Sequence, residues 1–578
     1  MRGYFNYKVR YYPTRLGTLV NVNVFIPSDS LSNQAWVIVL EAESKSEEIE
    51  VKYYDIYGES GITPNKYNMP HKGYKHSMKT YVWITLLIIG VLSALWFLLG
   101  VVPNADGTMP PSFSFGPSDM FFHSIAIGIT ALVVYFVIMA FNLDKYEPNI
   151  DFPIAYRALL ATILGAIAAA FYLSPVFNAA TTPITDIIMF AALLLLADVG
   201  GALIVQLYLL PAKQSGRYDP YNNTMGMFPK LSQLPTLSDL KKMDYAYWFV
   251  FTAVIVTFIA GIMGFIALWI NPNHVFIAAP AFLNGYEASL GGASAFFDAL
   301  IGSHSHVIGI SIILGIVAVT AKRFDVLNLK GLGSRVAKLG MLVSIFGLMI
   351  MTMVFLFEAF DAYVPPLIFA SNPGGPLQLW SFTAANGMAG DDSTMFLASL
   401  GAMIMLLPLM LTKIRDRPAW KDPIRLSILA MWVIAYIATP LEGFFIEFHE
   451  ATLSGSPVDI VFGNLQYFSL FAVAMITLAF LAVDFFQGRE NVRKKVAASG
   501  IAVTVFALIA GFIYAFFDPG ALDATGSLAG LTIWGWIFSA GLFLMSVIVI
   551  VAMFVVRSGT KWDSAESAAV IKIVSKNA

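Results

Sequence analysis

Apolar runs of roughly 17 to 28 residues recur from near residue 80 to near residue 556, and a helix needs that length to cross a hydrocarbon core of about 30 Å. Lipid offers no hydrogen bonds, so each backbone amide and carbonyl in such a run must be satisfied internally, and serial helices are the direct solution. About twelve spans are expected on length alone, near 80–101, 121–142, 155–174, 185–210, 246–270, 304–321, 339–362, 394–412, 425–442, 460–485, 497–516 and 529–556. Charged residues make up only 12% of the chain, about half the share of a soluble domain. The expected fold class is therefore an all-α polytopic membrane protein, with a transmembrane domain over 77–558 and a short tail over 559–578.

The cations set the expected orientation. Lys145 and Arg157, Lys213 to Lys242, Lys322 to Lys338, Lys413 to Arg425, and Arg489 to Lys495 fall in alternate loops. The intervening loops, including 102–120, 271–303, 363–393, 443–459 and 517–528, contain neither Lys nor Arg. The positive-inside rule then places both termini in the cytoplasm of a multi-pass plasma-membrane protein. Residues 1–76 differ in kind. "GTLVNVNVFIP", "QAWVIVLEAE" and "EIEVKYYDIYG" are β-branched or aromatic runs between turn-forming residues, which predicts a small β-rich cytoplasmic region.

The chain has no cysteine, which excludes disulfides, thiolate metal sites, cysteine-ligated clusters and covalent haem attachment. Its net charge of −2 and lack of basic tracts give no reason to expect nucleic acid. Of seven histidines, His71 and His76 sit among lysines before the first span, whereas His123, His274, His304, His306 and His449 all map to the side opposite the cations. His123 opens the second span in "DMFFHSIAIGITALVVYF", and His304 and His306 open the sixth in "DALIGSHSHVIGISIILGIV". Residues two apart on a helix point about 200° apart, so His304 and His306 serve different neighbours. An imidazole at the edge of the hydrocarbon pairs or binds something. Without cysteine, bis-imidazole ligation of a b-type haem is the natural chemistry, with His123 and His306 as the first pair and His304 and His449 as the second. Gly128, Gly302, Gly309 and Gly315 would leave room for a porphyrin. Plain hydrogen bonding by these histidines is the competing reading, and a His449, Glu447, Glu450 and His304 metal site is a further one.

"EASLGGASAFFDALIG" (287–302) aligns with "EATLSGSPVDIVFG" (450–463) across a two-residue gap, and "GPSDMFFH" begins the second span in a related way. Spans two, six and ten are four apart, suggesting three four-helix blocks. With this threefold pattern, "GSHSHVIGISIILGI" and "FFHSIAIGITALVVYF" resemble the two ligand-bearing helices of haem–copper oxidase and nitric oxide reductase large subunits. The resemblance departs at the copper centre, since no adjacent His-His pair is present. In overall character the chain also looks similar to the hydrophobic membrane partner of archaeal extracytoplasmic b-type cytochromes. These resemblances imply one or two b haems, quinol oxidation, and an extracytoplasmic redox protein or other respiratory subunits as partners.

Three carboxylates complete the reading. Asp198 lies well inside the fourth span, in "LLLLADVGGALIVQ", where a carboxylate marks a proton pathway. Glu358 and Asp361 end the seventh span three residues apart on one face, placed to accept protons from quinol. Two other classes compete with a quinol-oxidising subunit: a secondary transporter with a midplane carboxylate, and a cofactor-free structural subunit.

Overall fold

The computed structural model describes residues 5–9, 20–24, 39–40, 72–99, 117–143, 154–172, 182–218, 231–270, 292–363, 388–408, 413–414, 417–418, 421–433, 473–517 and 533–559. The chain divides into two units, Met1–Gly73 and Tyr74–Ala578. In the first, β1 (Phe5–Val9), β2 (Val20–Val24) and β3 (Val39–Leu40) form an antiparallel sheet in that order. The register sets Phe5 opposite Val24, Tyr7 opposite Val22 and Val9 opposite Val20. This match of apolar positions follows from the alternation in "VNVNV". The other runs expected to be strands within 1–76 lie outside the described residues.

The second unit is helical. Its elements are α1 (Lys72–Leu99), α2 (Pro117–Phe141), α3 (Ile154–Tyr172), α4 (Thr182–Gln214), the short α5 (Leu237–Leu240), α6 (Tyr245–Ile270), α7 (Gly292–Arg323), α8 (Leu332–Tyr363) and α9 (Met388–Leu406). Then follow α10 (Pro423–Val433), α11 (Val473–Phe486), α12 (Glu490–Phe517) and α13 (Ile533–Ser558). Every apolar run of the sequence overlaps one of these helices. Among the described residues seven helices, α1, α2, α3, α4, α6, α8 and α13, are long and apolar enough to cross a membrane. The protein is a helical membrane protein.

Hydrophobicity does not drive helices together in lipid, so close packing and polar contacts must do so. The α8–α9 pair shows how. A Cβ at Gly401 would stand 2.3 Å from the Ser344 amide nitrogen, and one at Gly340 would stand 2.3 Å from that of Met405. Only glycine lets these backbones meet, and Ser344 Oγ then donates to the Ala398 carbonyl at 2.6 Å. Elsewhere Ser124 of α2 donates to the Gly165 carbonyl of α3 at 2.8 Å, and Thr257 of α6 to Ser311 of α7 at 2.9 Å.

Pro211 lies in the last turn of α4. It has no N–H to return to Leu207, four residues back. The phenol of Tyr247 on α6 donates to that Leu207 carbonyl at 3.1 Å, and its side chain is fully buried. The helix then stops at Gly216, whose φ of +72° is left-handed. Asp244 caps α6 through the Tyr247 amide at 2.8 Å and pairs with Lys322 at the end of α7. Lys322 also stands over the Phe141 ring at the end of α2. These contacts mark one level, the basic end of the bundle.

Candidate functional site

At the opposite end, α6 and α7 meet around His304. Its Nδ1 lies 2.7 Å from the Ala260 carbonyl oxygen. A carbonyl only accepts, so Nδ1 carries the proton and Nε2 keeps its lone pair outside that bond. Ligating imidazoles are commonly oriented in this way, by a carbonyl held on the other ring nitrogen. Gly264, one turn along α6, makes the arrangement possible. A Cβ there would lie 2.5 Å from the imidazole Nδ1 and Cε1. His123 of α2 is the second imidazole of the site. It lies within electrostatic range of His304 and meets the Phe122 ring edge to face at 5.7 Å.

Among the described residues His304 is the imidazole within electrostatic range of His123, and the expected pairing of His123 with His306 rests on a side chain that lies outside them. The side chain of His306 and all of His449 lie outside them. Glu358 and Asp361 fall in the last turns of α8, with side chains likewise outside the described residues. Of the glycines expected to make room, Gly128 is occupied from the side by Ile89, whose Cγ2 would be 2.2 Å from an added Cβ. Gly315 packs against Val133, whereas Gly309 has no atom within 4 Å of an added Cβ. Gly302 lies within α7, and its surroundings are outside what is described. One oriented imidazole with a second within electrostatic range is a donor set of the kind that a b-type haem takes. Among the described residues no group of three His, Asp or Glu side chains gathers as a metal site.

Asp198 is paired with Arg157 of α3. It stands on the outward face of α4, 51% exposed.

A second polar cluster, absent from the sequence reading, lies at the basic end. Arg323 Nε donates to Asp484 at 2.8 Å, and Arg493 Nη2 donates to Asp484 at 2.7 Å and to both oxygens of Asp422 at 2.9 Å. Asp422 also caps α10 by accepting the amides of Ile424 and Arg425 at 3.0 and 3.2 Å, just before Pro423 opens the helix. Burial pulls the Arg493 guanidinium down, but the two carboxylates more than offset it, so its pKa ends above the ordinary arginine value. The available signal was "LAVDFFQ", a carboxylate closing an apolar run that has to find a cation.

No protein-family model matches the chain, and no curated protein matches it.

Proposed function

We propose that the chain is a b-type cytochrome subunit of a respiratory assembly, which oxidises quinol and passes electrons to an acceptor at the cation-free end. The observation that carries this reading is His304, whose Nδ1 is held by the Ala260 carbonyl while Nε2 stays available and His123 stands nearby. In this reading about twelve spans cross the plasma membrane, both termini are cytoplasmic, the strands belong to a cytoplasmic β-rich region, and the histidine site lies near the outer face.

His304 and His123 would hold the haem, and His306 and His449 are the other candidate ligands. Bound iron supplies one-electron chemistry. The chain supplies the rest. Ala260 fixes the imidazole tautomer, Gly264 clears the space that the ring fills, and the apolar walls of α2, α6 and α7 exclude water. Quinol gives up two electrons and two protons. The electrons leave toward an extracytoplasmic redox protein, and Glu358 and Asp361, three residues apart at the end of α8, take the protons.

Haem content of the purified full chain tests this. About one haem per chain is expected, with His304→Ala and His123→Ala losing most of it while keeping the elution profile of the unsubstituted protein. A chain that folds in the membrane of a haem-replete host and carries no haem contradicts the reading.

A further inference from the structure

α4 is the least covered of the seven spanning helices, with 22% of its span buried inside the chain. Its large exposed side chains are Ile184, Ile187, Leu194, Val205 and Tyr208, and exposed Asp198 lies in line with them. Ile184, Asp198 and Val205 fall on one seven-residue repeat, and Ile187, Leu194 and Tyr208 on another three residues along. Ala191 and Gly201 occupy the two remaining places. That is the a/d seam of a left-handed helix pair, with small residues for close approach and one polar layer.

The polar layer is deep. Leu207 lies level with the basic end through its bond to Tyr247, and Asp198 is nine residues, about 13 Å, further into the span. Neighbouring rings agree. Tyr156, beside Arg157, lies 6.3 Å from Tyr81, which lies 6.2 Å from Tyr135, and Tyr135 is six residues inward of Phe141 on α2. A half-exposed carboxylate at that depth faces acyl chains that cannot hydrogen-bond to it. Arg157 neutralises its charge, yet Arg157 Nε is buried without a hydrogen-bond acceptor among the described residues.

We propose that the α4 face around Asp198 is the contact surface of a homodimer, packing in parallel against α4 of a second copy. Charge selects that occupant. The Asp198–Arg157 pair is already neutral, so a partner bringing a lone cation or anion would leave an uncompensated charge in lipid. A second copy brings an equal, neutral pair at the same depth. The two-fold axis sets the two ion pairs side by side at one depth, each carboxylate flanked by the guanidinium of its own chain. The heptad spacing meets itself in register by the same symmetry.

The natural absence of cysteine makes the test clean. Ala191→Cys, Leu194→Cys and Val205→Cys are compared, in native membranes under mild oxidation, with Leu196→Cys off the seam and Phe346→Cys on the exposed face of α8. The expected result is a disulfide-linked species of twice the chain mass at the seam positions, at least ten times its yield at the two controls. Equal yields, no product at the seam, or linkage to a different polypeptide overturns the proposal. Stepwise photobleaching of the unsubstituted, terminally labelled chain in dilute vesicles is a second measurement that requires no α4 variant. Two-step bleaching is expected, and predominantly single-step bleaching contradicts the dimer.

Discussion

The contact between Tyr247 and Leu207 shows how a local defect in one helix fixes a side chain on another. Proline at 211 leaves a carbonyl without its helical donor, and the phenol supplies one across the α4–α6 interface. Tyr247→Phe should cost about 1–3 kcal/mol, because the buried acceptor is then unsatisfied. The cost should shrink when Pro211→Ala is added, since the backbone N–H returns. Equilibrium unfolding of the four proteins in detergent gives the coupling directly, and a Tyr247→Phe loss unchanged by Pro211→Ala would contradict the assignment. Neither residue stood out in the sequence, since a tyrosine near a helix start reads as part of an interfacial aromatic belt. His304 did stand out, as an imidazole in an apolar run. Its partner carbonyl was not legible, because a backbone acceptor on another helix leaves no trace in residue type. The pairing of Arg157 with Asp198 was hidden for another reason: the arginine reads as a loop cation until α3 is seen to start below the charged level.

Among the elements, the helices were the most legible part, because a run long enough to span lipid has few alternatives to a helix. Their ends were less so. α1 starts at Lys72, eight residues before the apolar run near 80, as "KGYKHSMK" continues the helix in a polar setting. The glycine contact between α8 and α9 was also unread, since glycine at 340 or 401 is equally compatible with a hinge. Gly401→Leu should drive the side chain into the α8 backbone and destabilise the pair by about 1–3 kcal/mol or more, read as a lowered thermal midpoint in detergent. An unchanged midpoint would mean that the two helices do not approach at this glycine. The loop before α6 offers a pH test. Thr236 caps α5 while Asp239 accepts its hydroxyl at 2.7 Å and its amide at 2.9 Å. The Thr236 hydroxyl and amide, helped by Arg217, outweigh burial and hold the Asp239 carboxyl well below the usual carboxylate range. A depressed pKa in the folded state means that the stabilisation is complete above the unfolded value, near 4, and is lost as pH falls through the folded one. Amide protection over 237–243, corrected for intrinsic exchange, should hold from neutral pH to about pH 4 and decline below it. Asp239→Asn should remove that decline; a decline persisting in the variant would assign the pH response to another group.

For the molecule as a whole, the two ends of the helical unit differ in kind. The basic end is locked by ion pairs running from α7 through α11 and α12 to the cap of α10. The other end carries the oriented imidazole. Removing one member of a buried ion pair leaves a charge uncompensated, at about 3–5 kcal/mol. Asp484→Leu should therefore lower the unfolding midpoint far more than Glu490→Ala, which removes the exposed pair with Lys494. Similar midpoints for the two variants would show that the cluster does not hold this end together. Positive-inside patterning foretold two unlike ends, but not that cations at one end would be buried among aspartates distant in sequence. The decisive observation on function is a dithionite-reduced minus oxidised visible spectrum of the purified full chain. A b-type α-band, abolished by His304→Ala and His123→Ala and retained in Asp484→Leu, is the expected result. A featureless difference spectrum from folded, haem-replete preparations would contradict the electron-carrier reading.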